Sequence, residues 1–259
     1  QNTRTPKLQL WQSKGVDVVR VLFTEAHATR AGVRDWVALD ESIALAEQYG
    51  VKLIPSLEEH WGHCYGPEKT CAWYQGGYAD PYPGSFNGFD DWATEVVTRY
   101  ADSPAIMAWE IQNEPWTSCV HPLFVDILGR IKVADGTTPR SLGGNDSGGW
   151  SFLDENSNPD VTWVTVHGPY DSTTPITPFV QQRIDWAEQL GKPIYVGERG
   201  YRTCSDVAMA DFYTQTMAAS RDAGATGFLA WAFGWTDVAD DCDLDFSPSS
   251  PTMDTFSGF

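Results

Sequence analysis

The stretch Ser103-Pro-Ala-Ile-Met-Ala-Trp-Glu-Ile-Gln-Asn-Glu-Pro-Trp116 is a short apolar run closed by polar residues. Ala105 to Ile111 reads as a strand, and Pro115 stops it, because proline cannot donate to a sheet ladder. Such a strand buries its body and presents Asn113 and Glu114 at its C-terminal end. That suits a barrel of parallel strands, in which reacting groups sit at the carboxyl ends.

The rest of the chain supplies the same alternation. Helical segments end in glycine and apolar runs follow: Gly15 before Val16–Leu22, Gly50 before Val51–Leu57, Gly191 before Lys192–Val196, and Gly224 before Ala225–Trp231. Glycine suits the left-handed residue that ends a helix. Apolar side chains recur at helical spacing at Trp36, Leu39, Ile43 and Ala46, at Phe89, Trp92, Val96, Val97 and Tyr100, and at Val180, Ile184 and Ala187. Ser205 is placed to cap a helix running to about Ala223. Helices alternating with continuously apolar strands indicate a parallel sheet covered by helices. Seven strands are expected, near 16–22, 51–57, 105–111, 139–143, 161–166, 193–197 and 226–231. The fold class is therefore α/β, a (β/α)8 barrel whose first strand is missing from the sequence. The 259 residues suit a single catalytic domain, 1–259, with an irregular tail over about 246–259; such barrels need roughly 250 residues.

A net charge of −18, from 35 acidic and 17 basic residues, argues against nucleic acid as a partner. No apolar run approaches the about 20 residues needed to span a bilayer, and no signal-peptide pattern opens the chain. Twelve Trp, ten Tyr and twelve Phe point to an aromatic core with a share of rings lining a cleft. The five cysteines, at 64, 71, 119, 204 and 242, fall in loop-like sequence, which reads as an oxidising, extracellular setting. Cys64 with Cys71 and Cys204 with Cys242 are the expected pairs, and Cys119 is left over. Asn145-Asp-Ser147 is a glycosylation sequon of little weight.

Glu114 and Glu198 both end expected strands, the latter in Val196-Gly-Glu-Arg-Gly200. Two carboxyls can split roles, one donating a proton to a leaving oxygen while the other, ionised, attacks. A lone strand-end glutamate is more often a surface group; the neighbours change that balance. Arg20 is placed to hold an ionised Glu198. His167 and Tyr170 end the fifth expected strand and offer hydrogen bonds to either carboxylate. Trp231 ends the last and offers its ring face to a sugar. Glu110 alternates to the inner side with Glu114 and reads as a buried structural acid.

Trp109-Glu-Ile-Gln-Asn-Glu-Pro115 resembles the acid/base strand of the retaining β-glycosidases built on (β/α)8 barrels, and most resembles glycoside hydrolase family 5. The resemblance covers nearly the whole chain. It implies Glu114 as acid/base, Glu198 as nucleophile, Asn113 on the sugar 2-hydroxyl, Arg20 near the nucleophile, and His167, Tyr170 and Trp231 at the sugar. Leu53-Ile-Pro-Ser-Leu57 with His60-Trp61 resembles the third strand and its loop, so His60 and Trp61 are expected to border the substrate cleft, with Trp61 a substrate-binding candidate. Ile54-Pro with Met107-Ala-Trp-Glu110 leans to the β-mannanase branch over the cellulase branch. Two features depart: Arg199 follows Glu198 where relatives often carry Phe or Tyr, and Glu58-Glu-His-Trp-Gly-His63 is unusually acidic.

That loop is not His-Glu-x-x-His, so no metal is expected there. Trp73, Trp116, Trp150 and Trp235 are divided between sugar platforms and loop packing. Asp240 to Asp245 reads as a solvated acidic loop rather than a calcium site. The expectation is a secreted, monomeric, cofactor-free retaining β-glycosidase with a polysaccharide or oligosaccharide partner, β-1,4-mannan ahead of β-1,4-glucan, and no membrane association. The competing reading is a barrel that binds carbohydrate without turnover.

Overall fold

The computed structural model describes residues 4–64, 66–83, 85, 87–144, 146, 149–170, 172–234 and 244–256. Along the chain run α1 (Arg4–Ser13), β1 (Val18–Leu22), the hairpin β2 (Thr29–Arg30) and β3 (Val33–Arg34), α2 (Val37–Tyr49), β4 (Lys52–Ser56) and α3 (Cys71–Tyr74). Next come α4 (Phe89–Tyr100), β5 (Trp109–Glu110), α5 (His121–Ala134), β6 (Arg140–Ser141), α6 (Phe152–Asn156) and β7 (Val164–His167). The last elements are α7 (Pro178–Gln189), β8 (Ile194–Arg199), α8 (Asp206–Asp222), β9 (Gly227–Ala230) and α9 (Thr252–Thr255). All seven expected strands are present, trimmed or shifted at their ends. The hairpin is too short for periodicity to mark. α1 is the first described element. Gly15, Gly50, Gly191 and Gly224 all have positive φ, as the helix-to-strand junctions require.

The chain forms two compact units, Val18–Val164 and Gln1–Asp17 with Thr165–Phe259. In the first, four strands lie in the order β1-β4-β5-β6, and all the pairings are parallel. α4 and α5 pack on each other. Phe89, Trp92, Val96, Val97 and Tyr100 of α4 are buried, the face the periodicity predicts. Trp92 also spends its indole N–H on the carbonyls of Phe23 and Leu57, 3.0 and 3.2 Å away, just past the ends of β1 and β4. A helix side chain thereby satisfies strand-end acceptors that would otherwise be buried unpaired.

Trp109 of β5 is fully buried and donates to Asp135 Oδ2 at 2.9 Å, beyond the end of α5. Asp135 Oδ1 accepts from the backbone of Thr137 and Thr138. Burial alone would raise this carboxyl, but the donors of Thr138, Trp109 and Thr137 outweigh it and hold the pKa at about 2. Asp135 therefore stabilises the fold above the ordinary carboxylate range, and that contribution is lost as pH falls from about 4 to about 2. We expect Asp135→Asn to cost about 2 kcal/mol at neutral pH. In urea titrations across pH 2–6, the gap from wild type should close toward the acid end; a pH-independent gap would refute the assignment.

In the second unit the sheet order is β7-β8-β9. Ser205 caps α8 as expected, its Oγ accepting from the Ala208 N–H at 3.2 Å. Met209, Phe212, Tyr213 and Met217 of α8 form a core with Phe246 and Met253. Phe246 packs against Tyr213 and Phe256, with ring centroids 5.6 and 5.7 Å apart. Thr252–Thr255 forms a helical turn. The Phe and Met among its serines and prolines supply the apolar surface that anchors the segment.

Candidate active site

β5 is only two residues long, yet its ladder continues to the glutamate. The Ile111 N–H donates to Ser141 O at 3.0 Å, Asn113 N–H to Glu58 O at 2.7 Å and Glu114 N–H to Gly143 O at 2.9 Å. Neighbouring strands on both sides therefore fix the strand end. Glu114 has φ +47°, a left-handed conformation rare for a side chain of this size. Such strain persists only where the surroundings over-determine it, and it clusters at functional positions. Trp150 contributes by donating its indole N–H to Pro115 O at 2.8 Å.

Side chains complete the surroundings of Glu114. Trp61 Nε1 donates to Glu114 Oε2 at 3.0 Å. The Trp61 ring lies 5.4 Å from that of Trp116, which is 37% exposed. Arg20 Nε donates to the fully buried Glu110 at 2.9 Å, and Arg20 Nη2 donates to Asn113 Oδ1 at 2.7 Å. Glu110 is thus the structural acid its strand position indicates. With Oδ1 committed to Arg20, Asn113 has its amide N–H groups left to offer as donors.

The loop after β4 corrects the reading of His60. It is 1% exposed and does not border a cleft. Its Nδ1 lies 2.9 Å from Tyr74 Oη and its Nε2 lies 3.2 Å from Glu68. Burial pushes its imidazole below the ordinary range. Composition alone could not reveal that Glu59 organises the loop: its buried carboxylate accepts from the backbone N–H of Trp61 at 2.8 Å and of Cys64 at 3.0 Å. Glu58 lies 3.7 Å from Lys69, a fully buried lysine.

In the second unit, another cluster is built on β7 and β8. Glu198 is 3% exposed. Tyr170 donates to its Oε2 at 2.6 Å, and His167 Nδ1 lies 3.6 Å from the same oxygen. Both of the side chains expected to serve a carboxylate in this unit thus converge on Glu198. Trp231, just past β9, is 39% exposed. Its N–H donates to Arg199 O, and its carbonyl accepts from Tyr213 Oη at 2.8 Å.

Of the two expected cysteine pairs, Cys64 with Cys71 is overturned. Cys71 bonds Cys119, with Cα atoms 5.3 Å apart, and Cys64 is free. Proximity in sequence favoured Cys64 with Cys71, but the bond follows proximity in space, across 48 residues. Cys204 is disulfide-bonded; Cys242 lies outside the described residues, as do Asn145, Trp235 and Asp240–Asp243. Closing a loop of this length is worth about 4 kcal/mol. Cys71→Ser/Cys119→Ser should therefore unfold at markedly lower urea, and unchanged stability would refute that role. Trp73 and Trp150 are core residues, 4% and 5% exposed.

The family described as "Cellulase (glycosyl hydrolase family 5)" matches residues 2–234. The chain belongs to glycosyl hydrolase family 5. Among curated relatives, "Probable mannan endo-1,4-beta-mannosidase A-2" of Aspergillus terreus is 27% identical over 246 residues, covering 84% of this chain and 59% of its own length. Over the first curated relatives it matches, the chain spans 27% to 59% of their length. The endo-beta-1,4-mannanase from Thermotoga petrophila shares the fold with a TM-score of 0.79 at 17% identity, over 99% of this chain and 73% of that one. Pseudomonas stutzeri endoglucanase Cel5A does so with a TM-score of 0.69 at 17% identity, over 98% and 84%. The fold is the (β/α)8 type expected of family 5.

Proposed function

We propose that this family 5 chain is a retaining β-glycosidase acting on β-1,4-linked polysaccharide, mannan ahead of glucan. One observation carries the reading. Each of two carboxylates stands at the C-terminal end of a parallel strand and takes a hydrogen bond from a neutral donor, Glu114 from Trp61 and Glu198 from Tyr170. An indole N–H can only donate, so it holds Glu114 in place while leaving the carboxyl its own proton to give. Glu114 passes that proton to the glycosidic oxygen while Glu198 attacks the anomeric carbon, and the C–O bond to the leaving sugar breaks. Glu114, now a base, takes a proton from water, which displaces Glu198 with overall retention. Asn113 donates to the sugar 2-hydroxyl, and Trp231 offers its ring to the sugar.

The mannan preference rests on the names of the curated relatives and on the Ile54-Pro and Met107-Ala-Trp-Glu110 signatures. The disulfide chemistry supports an extracellular setting. The 259 residues act as one catalytic domain and as a monomer. No helix among the described residues is long and apolar enough to cross a membrane. The test is hydrolysis of mannan, β-glucan and xylan with product sizes recorded. Mannan should yield oligosaccharides fastest; release from none of them would refute the enzyme reading.

Trp61 and Trp116 stand on the side of Glu114, hence on the side of the leaving group. Trp116→Ala should raise KM for long oligosaccharides about 5-fold, the worth of roughly 1 kcal/mol of ring-face contact. Small activated aryl glycosides should be unaffected. Equal effects on both substrates would remove Trp116 from the binding surface.

A further inference from the structure

We infer that Arg199 is a positioning residue that holds Tyr170 on Glu198. The inference rests on the reading of Glu198 as nucleophile. Arg199 is 1% exposed, and among the described residues no carboxylate pairs with it. A buried guanidinium needs some other use for its donors. Nη2 donates to Ser172 O at 2.9 Å and Thr174 O at 3.0 Å, and Nη1 lies 3.4 Å from Gly200 O. Burial lowers its pKa to about 10, which still leaves it charged at neutral pH.

Glu198 and Arg199 therefore clasp one segment at both ends. At the start, the Gly168 N–H donates to Glu198 O at 2.8 Å. At the end, Arg199 takes the carbonyls of Ser172 and Thr174. Tyr170 lies between the two ties, its hydroxyl 2.6 Å from Glu198 Oε2. The arginine stem reaches the second tie by passing Gly168, where a Cβ would sit 2.6 Å from Arg199 Cδ. Its guanidinium carbon lies 4.9 Å above the Phe212 ring, which fixes the side chain from α8. A phenylalanine or tyrosine after Glu198 has no fork of donors to reach two carbonyls.

The test is a double-mutant cycle with Arg199→Met and Tyr170→Phe, read by kcat and KM on an aryl β-glycoside, with folding checked by circular dichroism. Arg199→Met should lower kcat about 100-fold, the scale of a misplaced reacting group, with KM little changed. Arg199→Lys, which keeps the charge and one donor, should recover part of the loss. In the Tyr170→Phe background, Arg199→Met should cost almost nothing further, because the hydrogen bond it protects is already gone. Equal losses in both backgrounds would mean Arg199 acts by packing alone and would overturn the inference, as would wild-type kcat in Arg199→Met. If Arg199→Met does not fold, the cycle runs with Arg199→Lys and the same criterion. Failure of the underlying reading looks different: Glu198→Ala would then keep wild-type turnover.

Discussion

Glu198→Ala is expected to lower kcat by about 10⁴- to 10⁶-fold, the scale seen when a covalent nucleophile is removed. The fold should survive, because truncation removes a buried carboxylate together with its need for partners. Azide added to this variant should restore turnover of an activated aryl β-glycoside. The anion would attack the anomeric carbon from the emptied space and give the inverted glycosyl azide, since only one displacement now occurs. Glu114→Ala should behave differently. Its loss on polysaccharide should be about 10²- to 10⁴-fold, the usual worth of general acid–base catalysis. Aryl glycosides whose leaving phenolate needs no proton should be nearly spared in the first step. Product configuration by NMR separates the two roles, and a retained azide product from Glu198→Ala would reverse the assignment.

Gly143→Ala is expected to have the next largest effect, although it removes nothing. Gly143 has φ +100°, and a Cβ there would lie 1.5 Å from Gln112 O and 3.4 Å from the Glu110 carboxyl carbon. Its carbonyl is the acceptor for the Glu114 N–H. Alanine must push the two strand ends apart, and the residue displaced is the acid/base candidate. A loss of about 3 kcal/mol or more is expected from overpacking and backbone strain together. Surviving protein should lose at least about 10²-fold in kcat, since a shift of one ångström is enough for that. Thermal unfolding and single-turnover rates measure the two parts separately; wild-type values for both would show that the strand ends are free to move.

The alternation of helices and parallel strands was legible because it is local. Apolar spacing in α4 and the glycine junctions before β1, β4, β8 and β9 depend on neighbours within a few residues. The strand-end placement of both glutamates was legible for the same reason: each lies within three residues of an apolar run. Side-chain pairing was not. Arg20 donates to Glu110 and Asn113, pairings that no spacing in the chain marks. His60 looked available and is buried against Tyr74. Cys71 skipped the nearby Cys64 for Cys119.

The sequence by itself determined the α/β class, seven of the strands and the strand-end placement of Asn113, Glu114 and Glu198. These follow from hydrophobic periodicity and chain-terminating residues, which are properties of short segments. Only the tertiary structure decided that Trp61 serves Glu114, that Tyr170 serves Glu198, and that Arg199 is spent on the loop carrying Tyr170. Those choices depend on rotamers and loop paths that bring together residues tens of positions apart. At that range a hydrogen bond of 2.6 Å leaves no trace in the spacing of the letters.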